Sequence, residues 1–221
     1  MANDVIFFDL DGTLLDIRQR FHRLHTNCLT QLNGMPLPLD QYWQLKQAKT
    51  SEADILKVNR NEDLLPAYEA MRKEQIEAVD YLQMDDYWDG MTLYLHSLGE
   101  KFDLAIVTLR NDPATLLWQV ENLGLNDFFP AILFPEPGDQ SAVRHETKVN
   151  MVRRHFGSRQ LSGWFVGDTE VDILAGKALG LKTCAVTFGL RNAGVMSALQ
   201  PDFLARSPEE LYSLFDRLLA G

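Results

Sequence analysis

Val5-Ile6-Phe7-Phe8-Asp9-Leu10-Asp11-Gly12-Thr13-Leu14-Leu15-Asp16 is a short apolar run that delivers two carboxylates and then a glycine-marked turn. Val5 to Phe8 is too short and too continuously apolar for an amphipathic helix, and Gly12 ends it, so it reads as a strand buried on both faces. Such strands belong to parallel sheets. In an open parallel sheet ligands bind beyond the carboxyl ends of the strands, where Asp9 and Asp11 stand. Residues two apart in an extended segment point the same way, and two neighbouring acids resist ionising together. The pair therefore calls for a cation or a shared proton. From these residues alone, a buried strand followed by an Asx-type turn with solvated acids is the competing reading.

Outward from this stretch the pattern changes. Ile17, Phe21, Leu24, Cys28 and Leu32 recur at helical spacing until Asn33-Gly34 stops them. Two short helices follow around Tyr42-Trp43-Leu45 and Ile55-Leu56, the second capped by Ser51. A longer helical stretch is expected from Glu62 to Met84, with Pro66 in its first turn and no strand between Asp16 and Tyr87. This segment reads as an all-helical insertion. Beyond it, expected strands at Leu104–Thr108, Ala131–Phe134, Trp164–Gly167 and Thr183–Thr187 alternate with helices near Met91–Leu98, Pro113–Leu123, Lys148–Phe156, Val171–Leu179 and Pro208–Leu219. Strands and helices alternating in this way define an α/β fold with a doubly wound, Rossmann-like parallel sheet. Its core is expected from residues 1–16 and 88–221, with residues 17–87 as a helical cap.

A chain of 221 residues can bury a good core. Its 21 basic and 31 acidic residues give a formal charge of −10, so neither nucleic acid nor an anionic membrane is an expected partner. Cys28 and Cys184 form no C-x-x-C pair, which points to neither a disulfide framework nor a thiolate metal site. With no signal-peptide pattern and no spanning apolar run, the expected setting is the cytoplasm. A monomer is the default.

Four segments fall at or beside the carboxyl ends of expected strands: Asp9-Leu10-Asp11, Thr108, Lys148, and Gly167-Asp168-Thr169-Glu170-Val171-Asp172. The first resembles the D-x-D-G-T motif of the haloacid dehalogenase superfamily of phosphotransferases, and the four together match that superfamily's motifs in order and kind. The helical segment between the first two also resembles its cap, in the branch of phosphoglycolate phosphatase and β-phosphoglucomutase. The resemblance implies Mg²⁺-dependent hydrolysis of a small phosphorylated metabolite. In it Asp9 is the nucleophile that forms an aspartyl-phosphate, and Asp11 is the acid and base whose backbone carbonyl also ligates the metal. Asp168 is then a further carboxylate ligand with Asp172 in support, while Thr108 and Lys148 contact the phosphate.

Lys148 lacks the proline that commonly follows this lysine in the family. It is nevertheless favoured over Lys177 and Lys182, which lie past the fourth motif. A phosphomutase is the nearest enzymatic alternative; related phosphomutases use a cap histidine near this point, but the matching position here is Phe21. His22 and His25 are expected as satisfied or exposed helix residues. A non-catalytic binding module on the same fold is the alternative of a different class. Lys46, Lys49 and Thr50 are candidates to line the cap side of the cavity and bind a remote anion, and Arg110 and Arg191 follow strand ends where substrate could be touched.

Overall fold

Six parallel strands form the main sheet of the computed structural model, which describes residues 4–220. The chain enters at β1 (Val5–Phe8), passes a two-residue strand β2 (Leu15–Asp16), and runs through five helices. These are α1 (Arg18–Gln31), α2 (Leu39–Gln47), α3 (Glu52–Val58), α4 (Leu65–Gln75) and α5 (Val79–Leu82). It returns through β3 (Asp86–Tyr87) and α6 (Met91–Gly99) to β4 (Asp103–Val107), α7 (Pro113–Asn122) and β5 (Ala131–Leu133). Then come α8 (Arg144–Phe156), β6 (Gly163–Gly167), α9 (Glu170–Ala178) and β7 (Lys182–Val186). The short helix α10 (Ala193–Ser197), β8 (Phe203–Ala205) and α11 (Pro208–Ala220) end the described chain.

The sheet order is β5-β4-β1-β6-β7-β8, so β1 lies in the interior between β4 and β6. Its continuous apolar sequence follows from having two buried faces. Ile6 and Phe8 enter the cluster that includes Met91, Leu95 and Phe215, while Val5 and Phe7 enter the opposite one with Val149, Val152 and Ala175. Gly163 opens β6 opposite Val5 at φ +123°, and a Cβ there would lie 2.0 Å from the Val5 carbonyl oxygen. Only glycine lets the strands pair at this point.

The helices between β2 and β3 join the sheet through Phe21, Tyr42, Trp43 and Ile55, and also hold a cluster of their own around Leu24, Cys28, Leu56 and Tyr68. Ser51 caps α3 as the sequence predicts, accepting from the Asp54 amide. Three expectations are corrected. The stretch Glu62–Met84 is a 3₁₀ turn followed by α4 and α5, broken at Ala78, where the backbone is extended at ψ 142°. Beside that break, the Ile76 carbonyl accepts from Arg20, and Glu77 accepts backbone amides of Asn111 and Asp112. Tertiary contacts there outweigh helix propensity.

Secondly, the two linkers of the insertion pair with each other, Leu15 opposite Tyr87 and Asp16 opposite Asp86, as an antiparallel two-stranded ribbon. Thirdly, β8 adds a sixth strand at the sheet edge, and α10 precedes it. Cys28 and Cys184 are both buried and free. Among the described residues no helix is long and apolar enough to cross a membrane.

Candidate active site

The carboxyl ends of β1, β4 and β6 and the first helical turns beside them converge on a cavity of about 180 Å³. Asp9 follows β1, Thr108 follows β4, and Asp168 follows β6. Lys148 reaches in from the second turn of α8. Its Nζ donates to Asp9 Oδ1 at 2.5 Å and to Asp172 Oδ1 at 2.6 Å, and only 2% of the residue is exposed. Neither Lys177 nor Lys182 approaches the site. Lys177 donates to the Leu199 carbonyl, and Lys182 lies over the Trp164 ring. Thr108, also buried, lines the cavity, and its hydroxyl oxygen accepts from the Arg110 amide at 3.4 Å.

Asp9, Asp168 and Asp172 each bring an oxygen to within 4.8 Å of the others, and all three are buried. Their hydrogen bonding separates them. Asp172 gives one oxygen to Lys148 and the other to the amide and hydroxyl of Thr169, forming the capping box that starts α9. Asp168 accepts the Leu190 amide on Oδ2 at 2.7 Å, but its Oδ1 has no partner. An ionised oxygen stranded in this way is costly unless a cation faces it. The all-oxygen donor set suits a hard divalent ion such as Mg²⁺. Glycines wall in this carboxylate: a Cβ on Gly12, at φ +81°, would meet Asp168 Oδ2 at 2.0 Å, and one on Gly189 would meet it at 2.3 Å.

Burial pushes Asp9 up to about 7, with the Asp172 and Asp11 charges adding to the rise and Lys148 opposing it. Asp168 is driven well above the usual carboxylate range by burial and by its two acidic neighbours. Burial alone would lower Lys148, but Asp172 and Asp9 outweigh it and hold the ammonium above its ordinary value. The cluster thus has more negative charge than Lys148 alone neutralises.

Asp11 is held differently. Arg110 Nε and Nη2 donate to its two oxygens at 2.8 and 2.6 Å, and Arg20 Nη2 donates to Oδ1. Burial would raise Asp11, yet the Arg110 and Arg20 guanidiniums prevail and keep it well below the ordinary range. Behind them stands Asp85, its side chain buried, with Arg20 Nε 3.1 Å and Arg110 Nη2 3.5 Å away. Burial lifts Asp85 to about 6 against the pull of Arg20.

Of the remaining sequence candidates, Lys46, Lys49, Thr50 and Arg191 lie outside the cavity lining, which corrects the expectation for them. Lys46 is paired with Glu52, and both Lys49 and Arg191 are paired with Glu170. His25 is buried and satisfied, its Nε2 accepting the Leu37 amide and its Nδ1 bonded to the Tyr68 hydroxyl, while His22 bonds the Leu37 carbonyl. Arg110, by contrast, is buried and lines the cavity. Sequence reasoning missed Arg20, Asp85 and Arg144. The signal for Arg20 was present, because it falls on the buried face of α1 between Ile17 and Leu24.

Sheet order, helical insertion and clustered acids together define a doubly wound α/β core with an inserted helical segment and a buried acidic cluster at the carboxyl ends of its strands. The chain belongs to the haloacid dehalogenase-like hydrolase family, whose model matches residues 6–186. It is 27% identical over 217 residues to the pyrophosphatase PpaX of Halalkalibacterium halodurans, covering 97% of each chain. It is 28% identical over 230 residues to a phosphoglycolate phosphatase of Neisseria meningitidis, covering 94% of this chain and 91% of the relative. In fold it is similar to a haloacid dehalogenase-like hydrolase from Streptococcus pneumoniae, with a TM-score of 0.70, 23% identity, and coverage of 97% and 98% of the two chains.

Proposed function

We propose that this hydrolase is a Mg²⁺-dependent phosphatase, acting on a small phosphate monoester through an aspartyl-phosphate on Asp9, with residues 17–87 as a cap over the core. The observation that carries the reading is the unpartnered Asp168 oxygen beside an Asp9–Lys148–Asp172 cluster. Relatives named as phosphatases and pyrophosphatases support hydrolysis at phosphorus. The small cavity favours a small substrate.

Asp9 attacks phosphorus, and the bond from phosphorus to the alcohol oxygen breaks as the acyl-phosphate bond forms. Asp11 gives that departing oxygen a proton, then takes one from the water that attacks the phosphorus of the intermediate, so that inorganic phosphate and free Asp9 are regenerated. Thr108 donates its hydroxyl to a phosphate oxygen, and Lys148 offsets the negative charge shared by phosphate and Asp9. Asp168, Asp9 and the Asp11 carbonyl would hold Mg²⁺, while Asp172 fixes Lys148 and the start of α9. When bound, Mg²⁺ neutralises charge on the transferred phosphoryl group. For Asp11 to act as an acid it must first leave the grip of Arg20 and Arg110. Phe21, the apolar residue that lines the cavity where the phosphomutase resemblance requires a histidine, offers no proton, which disfavours that alternative.

The test is Asp11→Asn with p-nitrophenyl phosphate. Its leaving group departs without a proton, whereas asparagine cannot activate water. A burst of about one equivalent of p-nitrophenolate per site is expected, followed by slow turnover and a phosphoenzyme detectable by mass. Continued release with no burst and no phosphoenzyme would withdraw the acid-base role of Asp11, whereas substantial activity retained in Asp9→Asn would overturn the covalent mechanism.

A further inference from the structure

Asp168 Oδ2 accepts from the Leu190 amide at 2.7 Å, while Oδ1 stays unpartnered. That N–H belongs to the peptide unit whose other end is the Gly189 carbonyl. Gly189 is buried, and its oxygen accepts from Gln47 Nε2 at 2.9 Å. Gln47 is the last residue of α2, so the donor reaches this loop from the helical insertion, 142 residues away along the chain. The Thr187 carbonyl lies 3.4 Å from the same nitrogen, and with two carbonyl oxygens facing it only the donor end of the side-chain amide fits there. The main chain repeats the contact, since the Gln47 carbonyl accepts the Asn192 amide at 3.0 Å.

A trans peptide is planar, with its C=O and N–H fixed in opposite directions. Whatever holds the Gly189 oxygen therefore aims the Leu190 N–H. The peptide needs such a hold. A Cβ on Gly189 would meet Asp168 Oδ2 at 2.3 Å and the Gly12 carbonyl oxygen at 2.4 Å, so the close approach admits only glycine, and glycine leaves the peptide after it freer to turn over than any other residue does. Turned over, that peptide would present an oxygen to Asp168 Oδ2, acceptor against acceptor, and the carboxylate would lose its hydrogen bond.

From this chain of contacts we infer that Gln47 is a positioning residue for the metal site: by holding the Gly189 oxygen it keeps the Leu190 N–H on Asp168 Oδ2, and so keeps Oδ1 presented to the ion. This rests on the Mg²⁺ reading of the acidic cluster and deepens it, because the ligand is then set only when the helical insertion is seated on the loop 187–192. Lys49 supplies a comparison within the same contact. It joins the insertion to the core through an ion pair with Glu170 at 2.6 Å rather than through the Gly189–Leu190 peptide.

The experiment titrates Mg²⁺ calorimetrically into the wild type, Gln47→Ala, Gln47→Glu and Lys49→Gln, and follows the Leu190 amide proton by NMR. Glutamate keeps the length of glutamine but, ionised, has no donor. Loss of one hydrogen bond predicts a Kd for Mg²⁺ roughly threefold to tenfold higher in both Gln47 variants. In metal-free protein the Leu190 amide proton, deshielded by its bond to a carboxylate, should move upfield in the same two variants. Lys49→Gln loosens the seat of the insertion without freeing the peptide, so both readouts should stay close to the wild type. Either an unmoved Leu190 amide or an unchanged Kd in the Gln47 variants would overturn the assignment. A loss of Mg²⁺ affinity in Lys49→Gln equal to that in Gln47→Ala would also overturn it, because Gln47 would then serve docking alone. Wild-type protein that binds no Mg²⁺, or whose binding survives Asp168→Asn, would instead count against the metal reading on which the assignment stands.

Discussion

His25 shows how one residue of the helical insertion sets a pH response. Its Nε2 accepts the Leu37 amide, so the ring is neutral with its proton on Nδ1, and protonating Nε2 breaks that bond inside the helical segment. Burial depresses this histidine to about 4. Between the ordinary histidine value near 6.5 and about 4, the unfolded chain binds a proton that the folded one refuses, so stability falls as pH drops through that window. His25→Gln has no such proton to bind. The stability difference between wild type and variant, from urea melts, should shrink by about 2–3 kcal/mol from pH 7 to pH 4. A difference independent of pH would mean that the ring is hydrated. From sequence His25 reads as a satisfied or exposed helix histidine, and its place with Leu24 and Cys28 on the buried side of α1 makes it the satisfied one. Its partners were not legible, since Tyr68 lies 43 residues away.

At the scale of elements, the legible ones had a period or a punctuating residue: β1 with Gly12, α3 with Ser51, α7 with Pro113 and Gly124. The strands β2 and β3 are two residues each, too short for any alternation, and exist because the linkers meet. Immediately beyond them sit Arg20 on α1 and Asp85 before β3, so the ion cluster with Asp11 and Arg110 ties the base of the helical insertion to the turn that follows β1. Arg20→Met would leave Asp85 buried with the more distant Arg110 as its cation, Oδ2 accepting from Gln119, and should cost about 3–5 kcal/mol in urea melts. Adding Asp85→Asn removes the stranded charge, so the double variant should recover about 1–3 kcal/mol relative to additivity. Strictly additive losses would show that the two side chains do not act as a unit.

For the whole molecule, the same acids that make the site cost the fold. One buried lysine pairs with Asp9 and Asp172 but not with Asp168, and burial together with the repulsion left over lifts Asp9 and Asp168. Asp9 and Asp168 were legible because each directly follows a strand, and Asp172 because it opens the helix that follows. Their relative duties were not, because a spacing such as Asp168 to Asp172 does not reveal that one carboxylate is fully engaged and the other has an unpartnered oxygen. That difference makes a prediction about global stability that needs no substrate. A divalent ion held by the native cluster and absent from the unfolded chain stabilises by mass action, about 2.7 kcal/mol at a hundred times its Kd. For a chain of this length that corresponds to roughly 5–10 °C in Tm. Asp168→Asn should erase the Mg²⁺ response. In metal-free buffer the same variant should melt at or above the wild type, by up to about 1–3 kcal/mol, because a repelling buried charge has gone. Asp172→Asn should behave oppositely, destabilising with or without Mg²⁺, since it strips Lys148 of an ion pair and weakens the cap of α9. If instead Asp168→Asn keeps the full Mg²⁺ shift and Asp172→Asn loses it, the ligand and the support are exchanged.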